Sequence, residues 1–267
     1  MARVMLNAET VRPLLPERPE DAHKGTFGHL FVISGARGFA GAAMLTCRAA
    51  ERSGAGLVTL GIPRPLGNIA AISLTETMTL RLPATDAETV DHDALEMALS
   101  FAEDKQAVAL GPGLSGHPDT VSFVMDFIPQ CATPMVIDAD GLNALAENPS
   151  ILKSVDTPTV LTPHPGEMAR LTQRSTADIQ ADRPAAARSL AKSTGAIVVL
   201  KGSKTLIAAP EGEIAENTSG GSGLATAGSG DVLTGLIGGL LAQGMPAYDA
   251  AQLGVYLHGR AGDLAAA

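Results

Sequence analysis

The sequence predicts an α/β protein: a mostly parallel central sheet covered by helices on both faces, with an antiparallel edge. Three observations predict it. Short β-branched runs alternate with longer Ala- and Leu-rich stretches, the rhythm of strand–helix units. The strand-like runs are continuously apolar rather than alternating, as expected where both faces are buried. After Ile197 the connections shorten to the length that joins antiparallel neighbours.

In order, Leu30–Ser34 reads as a strand, Gly41–Ser53 as a helix and Leu57–Leu60 as a second strand. Ala107–Leu110, Met135–Ile137, Thr159–Thr162 and Ile197–Leu200 are further strands, with helical patterns between them at about 92–103, 118–128, 140–146 and 182–193. Thr205–Ala209 and Glu213–Asn217 form the antiparallel edge. In Val232–Leu241, Val232, Leu236 and Leu240 make one row and Leu233, Ile237 and Leu241 the next, a wide apolar stripe. Gly235, Gly238 and Gly239 let another backbone come close, at a cost in helix propensity. Ala247–Ala267 repeats the helical pattern. No Pro-, Gly- or Ser-rich linker and no internal repeat divides the 267 residues, so a single domain over 1–267 is expected.

Composition excludes several function classes. The net charge of −9 argues against a nucleic-acid partner. No apolar run approaches the roughly 18 residues of a membrane span, and the first residues lack a signal-peptide core. Cys47 and Cys131 form no CxxC, which fits a reducing cytoplasm and buried thiols.

Glycines and acids collect where strands end. Gly35–Gly41 follows the first strand, Gly111–Gly116 follows AVAL, Asp138-Ala-Asp140-Gly141 follows MVI, and Pro163-His164-Pro165-Gly166-Glu167 follows TVLT. Ligands of open α/β sheets sit outside the carboxyl ends of strands, so a long site is expected there. Gly111–Gly116 (GPGLSG) also matches a dinucleotide fingerprint, with Asp138 lying 22 residues beyond Gly116. That keeps an NAD-dependent oxidoreductase open as an alternative.

The most specific segment is Asn217–Asp231, in which five glycines precede a helix with Asp231 in its first turn. Backbone N–H groups of such a loop make an anion cradle, and the helix N-terminus adds partial positive charge. No Walker lysine accompanies it. A carboxylate placed there reads as a base that deprotonates a hydroxyl beside a held phosphoryl group; its bland counterpart is a helix-start acid. His23, His29, His92, His117 and His258 have no motif around them, whereas His164 stands between two prolines at a strand end with Glu167 three residues on. Lys201-Gly-Ser-Lys204-Thr205 is a hairpin turn that could also wrap a nucleotide.

Taken together, these pieces resemble the ADP/ATP-dependent NAD(P)H-hydrate dehydratases, which have the ribokinase-like fold. The matching segments are His23-Lys-Gly25, Gly35–Ala42, Gly54–Val58, Gly111–Leu114, Ile137–Asn143, Thr162–Glu167, Lys201-Gly202 with Thr205, Gly228–Asp231 and His258-Gly259 with Ala261-Gly-Asp263. The resemblance implies a metabolite-repair lyase. It would phosphorylate the C6 hydroxyl of the S form of hydrated NADH or NADPH, with ADP or ATP as donor and Mg²⁺ as cofactor, and then eliminate phosphate. It implies Asp231 as catalytic base, also contacting the substrate. Ala42, Gly113 and His164 would line the hydrate. Lys201, Gly202, Ser203, Lys204, Thr205 and Gly230 would hold the nucleotide, and Glu167 would be a metal-organising acid. A homo-oligomer, working alongside a separate epimerase, is expected. Gly221-Ser222 stand where the family usually has Asn-Pro, and Phe39 where Tyr is common. A kinase of a vitamin or sugar hydroxyl, sharing Asp231 and the cradle, is the nearest alternative, and a non-catalytic nucleotide sensor a further one.

Overall fold

Two-faced burial of the strands sets the architecture. The structure is a computed structural model that describes residues 3–267; the first two residues of the expected domain lie outside that range. The strands are β1 (Val4–Leu6), β2 (His29–Ile33), β3 (Leu57–Pro63), β4 (Met78–Leu82), β5 (Ala107–Leu110), β6 (Met135–Ile137), β7 (Thr159–Leu161), β8 (Ile197–Leu200), β9 (Thr205–Ala208) and β10 (Ile214–Asn217). They form one sheet in the order β1-β10-β9-β8-β7-β6-β5-β2-β3-β4. All pairings are parallel except those that β9 makes with β8 and β10. The expected antiparallel strands therefore lie one position inside the edge, which β1 closes by pairing parallel to β10.

Alternate residues of each central strand enter different cores. Phe31, Ile33, Val108, Leu110, Met135 and Ile137 pack on one face, while Leu30, Val32, Ala107, Ala109 and Val136 pack on the other. This is why the strands read as unbroken apolar runs. The helices are α1 (Ala8–Val11), α2 (Ala40–Arg52), α3 (Gly67–Ser73), α4 (Leu95–Ala102), α5 (Pro118–Gln130), α6 (Asp140–Leu145), α7 (Pro165–Thr172), α8 (Thr176–Ala181), α9 (Arg183–Thr194), α10 (Ser229–Ala242) and α11 (Ala247–Ala265). Residues of α4 to α9 build the first core, and residues of α2, α3, α10 and α11 the second.

The strands missed in the sequence are β1 and β4, the two sheet edges. An edge strand keeps polar or exposed positions, as the half-exposed Met78-Thr-Leu-Arg-Leu82 shows, so it lacks the continuous apolar run. The missed helix at the site is α7. Pro165 occupies its first position and His164 its N-cap, with Glu167 completing a reciprocal capping box.

Helix α10 crosses α2 at close range. A β-carbon on Gly235 would come within 2.1 Å of the Thr46 carbonyl oxygen, and one on Gly239 within 2.0 Å of Ser53 Oγ. Gly235→Ala should therefore lower unfolding stability by about 1–3 kcal/mol through overpacking, even though alanine is the better helix former. A urea-unfolding midpoint equal to or above that of the parent would show that the two helices do not meet so closely.

Candidate active site

The carboxyl ends of β5 to β8 converge on the N-terminal turn of α10, and side chains from four elements meet there. At the end of β6, Asp138 is 1% exposed. Its Oδ1 accepts from Lys201 Nζ at 2.7 Å, and its Oδ2 accepts from Thr234 Oγ1 at 2.6 Å. Lys201 follows β8 and Thr234 lies one turn into α10, so this single carboxylate ties two strand ends to the helix. Lys201 Nζ also stands 3.8 Å from Glu167 Oε2. Gly230 rests above the pair: a β-carbon there would lie 3.4 Å from Lys201 Nζ.

The turn after Asp138 is strained. Ala139 has φ +49° and ψ −118°, a backbone conformation costing about 1–3 kcal/mol for a residue with a β-carbon. It lets Asp138 point at Lys201 while Asp140 accepts the Ser115 amide at 2.8 Å.

Burial sets the charge states. It pushes the Glu167 carboxyl up to about 7, against the pull of Lys201. Burial also raises Asp231, to about 6, with the negative charge of Asp138 adding to it and Lys201 opposing. For Lys201, burial favours the neutral amine, but Asp138 and Glu167 outweigh it and raise its affinity for the proton. The site thus holds one fixed ammonium among acids of graded basicity. The neutral form of His164 is favoured by burial and by Lys201.

A cavity of about 760 Å³ opens beside this cluster. One wall is the turn 202–205 and the other the glycine-rich loop 219–227, with Gly230 at the α10 end and His258 behind. That volume is in the range of small-molecule sites. His164, Lys201, Gly202, Ser203, Lys204, Thr205 and Gly230, expected at the site from the sequence, all border it. The ammonium of Lys201 is turned into the acid cluster, so its side chain serves the α10 end and its backbone the turn.

Ala42 and Gly113 lie outside this cavity, against each other: a β-carbon on Gly113 would stand 3.1 Å from that of Ala42 and 2.9 Å from that of Phe39. Asp231 interacts electrostatically with Lys201 and Asp138, and also with Asp140, which anchors the turn after Gly113. The expected residues therefore fall into two groups bridged by the Asp231 neighbourhood.

One expectation changes. The first glycine of the GPGLSG turn has a packing role. A β-carbon on Gly111 would meet the Asp138 carbonyl oxygen at 1.9 Å, so this glycine is there for packing between turns. Asp138 is likewise engaged by Lys201 and Thr234, not free for a ribose. Glu167, expected as a metal-organising acid, has both oxygens in contact with protein groups. Oε2 accepts the His164 amide at 2.7 Å, Oε1 lies 3.4 Å from His164 Nε2, and the side chain is 6% exposed. Its geometry makes it an organiser of Lys201. The sequence offered Asp138 only as the acid of a dinucleotide fingerprint and set His258 aside. Nothing local marks Asp138 as a lysine partner 63 residues away. His258 had only its Gly259 neighbour as a signal, and its Nε2 lies 3.2 Å from Ser229 Oγ.

The sequence profile of the NAD(P)H-hydrate dehydratase family matches residues 30–267. The chain belongs to this family. It is 42% identical over 251 residues to the ADP-dependent (S)-NAD(P)H-hydrate dehydratase of Neisseria meningitidis serogroup B, covering 92% of this chain and 80% of that protein. To a bifunctional NAD(P)H-hydrate repair enzyme of Moorella thermoacetica it is 47% identical over 264 residues, covering 99% of this chain and 50% of that one. The chain thus spans about half the length of the bifunctional curated relatives it matches. The ADP/ATP-dependent NAD(P)H-hydrate dehydratase of Bacillus subtilis, crystallised with ATP and Mg²⁺, superposes with a TM-score of 0.84 at 32% identity, covering 99% of this chain and 90% of that one. Pyridoxal kinase of Bacillus subtilis, at 15% identity and a TM-score of 0.53, shares the ribokinase-like fold alone. Among the described residues no helix is long and apolar enough to cross a membrane.

The charge pattern of the dehydratase-family site has a stability consequence. An acid whose affinity for the proton rises on folding, as Asp231 does from 3.8 to about 6, stabilises the fold below the lower value and loses that contribution as pH rises to the upper one. Asp231→Asn cannot titrate. It should melt above the parent at about pH 7.5, with the gap closing towards about pH 4. A gap independent of pH in thermal unfolding would mean that the carboxylate is not desolvated.

Proposed function

We propose that the chain is an ADP- or ATP-dependent (S)-NAD(P)H-hydrate dehydratase, a metabolite-repair lyase of a reducing cytoplasm. The observation that carries this is the place of Asp231. It is a desolvated carboxylate in the first turn of α10, beside Gly230 at the cavity and coupled to the Gly113 turn through Asp140. A group so placed can take a proton from a hydroxyl that approaches a phosphoryl group held at the helix N-terminus.

The chemistry explains the use of a nucleotide. Hydroxide is a poor leaving group and phosphate a good one. The C6 hydroxyl of the hydrate attacks the terminal phosphorus, its proton passes to a carboxylate oxygen of Asp231, and AMP or ADP leaves. The C6–O bond then breaks. The ring-nitrogen lone pair expels phosphate, and loss of a proton from the neighbouring carbon restores the dihydropyridine. The R hydrate must first be converted to S by an epimerase activity.

In this assignment the N–H of Gly230 and the α10 terminus bind the phosphoryl oxygens, and the Lys201 ammonium beneath them offsets their charge. Lys204 and the backbone of Lys201–Thr205 wrap the donor. Ala42, Gly113 and His164 face the hydrate. A divalent cation such as Mg²⁺, when bound, supplies further neutralisation of phosphate oxygens. Among the described residues no three His, Cys, Asp or Glu side chains converge as a cage. That donor set suits an ion carried largely by the phosphates with one or two carboxylates.

Asp231→Asn keeps size and polarity but cannot accept the proton, so kcat should fall about 10²–10⁴-fold with nucleotide affinity retained. In the parent, kcat/KM should rise with pH to a plateau above about 6, where Asp231 is ionised. The assay is recovery of absorbance at 340 nm from hydrated NADH, paired with calorimetry for ADP and ATP. Retained turnover in the variant removes the base, and a lasting phosphorylated product without elimination would make the protein a kinase. Lys204→Ala with Thr205→Ala should raise the nucleotide KM by about tenfold and leave the hydrate KM unchanged. Equal nucleotide KM values would detach the turn from the donor.

A further inference from the structure

The C-terminal turns of α11 do more than close the second core. His258, Gly259, Gly262 and Asp263 share one face of this helix, and the glycine-rich loop lies along it. Asp263 Oδ1 accepts the N–H of Gly220 at 3.0 Å. Nine residues further on, at the first residue of α10, Ser229 Oγ lies 3.2 Å from His258 Nε2. The loop also packs tightly on the two glycines of this face. A β-carbon on Gly262 would stand 2.6 Å from the Leu224 side chain at Cγ, and one on Gly259 2.7 Å from the carbonyl oxygen of Ser219, just before the first fastening.

The loop has little of its own to hold its shape. Its regular structure is one short turn at Ser222–Leu224, and residues 221–223 and 225–227 are exposed. Such a segment orders only through what it lies against. Asp263 also stands in the last turn of a helix, where the dipole disfavours an acid. The Gly220 amide, together with Arg260 Nη1 at 3.0 Å from Oδ2, offsets that cost.

We propose that Asp263 is a positioning residue for nucleotide binding: by accepting the Gly220 amide it fastens the glycine-rich loop to α11 and presets one wall of the cavity. This rests on the assignment of the cavity to the nucleotide made above. Without the fastening, the entropy of ordering the loop is paid at the moment of binding, which weakens affinity. Asp263 touches no reacting atom, so the chemical step at Asp231 is left alone.

The test compares Asp263→Ala, which removes the acceptor, with Asp263→Asn, which keeps a carbonyl oxygen at the same place. In Asp263→Ala, amide hydrogen exchange should quicken for residues 218–226 and stay unchanged in α10 and the sheet. Affinity for ADP or ATP by calorimetry should fall about tenfold, the value of one charge-assisted hydrogen bond, with hydrate KM and saturated kcat unchanged. Asp263→Asn should restore most of the affinity. Unchanged loop exchange in Asp263→Ala overturns the proposal, as does quickened loop exchange with unaltered nucleotide affinity. So does exchange that quickens throughout α11 and the sheet, the mark of a merely structural residue. Exchange and calorimetry need no turnover. A protein that fails to dehydrate the hydrate but shows both effects retains this role for Asp263 and loses only the proposed reaction.

Discussion

The contact on which the rest of the site depends is the buried pair of Lys201 and Asp138. It joins the ends of β8 and β6, and through Thr234 it fastens α10 above them. Buried ion pairs seldom add net stability, because desolvating both charges costs about what their attraction returns. Their value is registry. Here the pair holds a positive charge directly beneath the Gly230 turn, where a residue with a larger side chain would cover it. The strain at Ala139 belongs to the same arrangement, since it aims two successive acids of one turn at different partners.

Helix α10 serves two purposes that compete. Its glycines bring it close to α2 and seat it deep against the sheet, which fixes its axis. That depth also buries its first turn, so Asp231 is held where its ionised form is disfavoured. The carboxylate becomes a better base for the same reason that it weakens the fold at neutral pH. A rigid scaffold and a destabilised carboxylate are linked by one packing decision.

Parallel topology explains why residues far apart in the chain share the site. Strands running the same way deliver their carboxyl ends, and the turns that follow them, to one side of the sheet. β9 alone runs against this direction, and its reversal carries the Lys201–Thr205 turn to that same side as one wall of the cavity. The opposite wall, the glycine-rich loop, lies against the last helix.

The amino-acid sequence determined the class of the fold through its two-faced apolar strands, and it marked the proposed chemical centre through the glycines leading into Asp231. It also marked Lys201–Thr205, His164 and Glu167, because unusual residues at strand ends are visible locally. It did not reveal the edge strands β1 and β4, whose partial exposure breaks the apolar pattern. Nor did it reveal that His164 and Glu167 open a helix, although proline at the first position and glutamate at the third were the signal. Three matters were decided only by the tertiary structure. Gly111 makes room for a neighbouring turn, Asp138 belongs to Lys201, and the loop is shaped by α11. Each is a contact between segments 25 or more residues apart. Periodicity and motif spacing report what a residue does to its own helix, strand or turn. Which distant side chain fills the space beside it is set by packing, which one chain segment read alone does not contain.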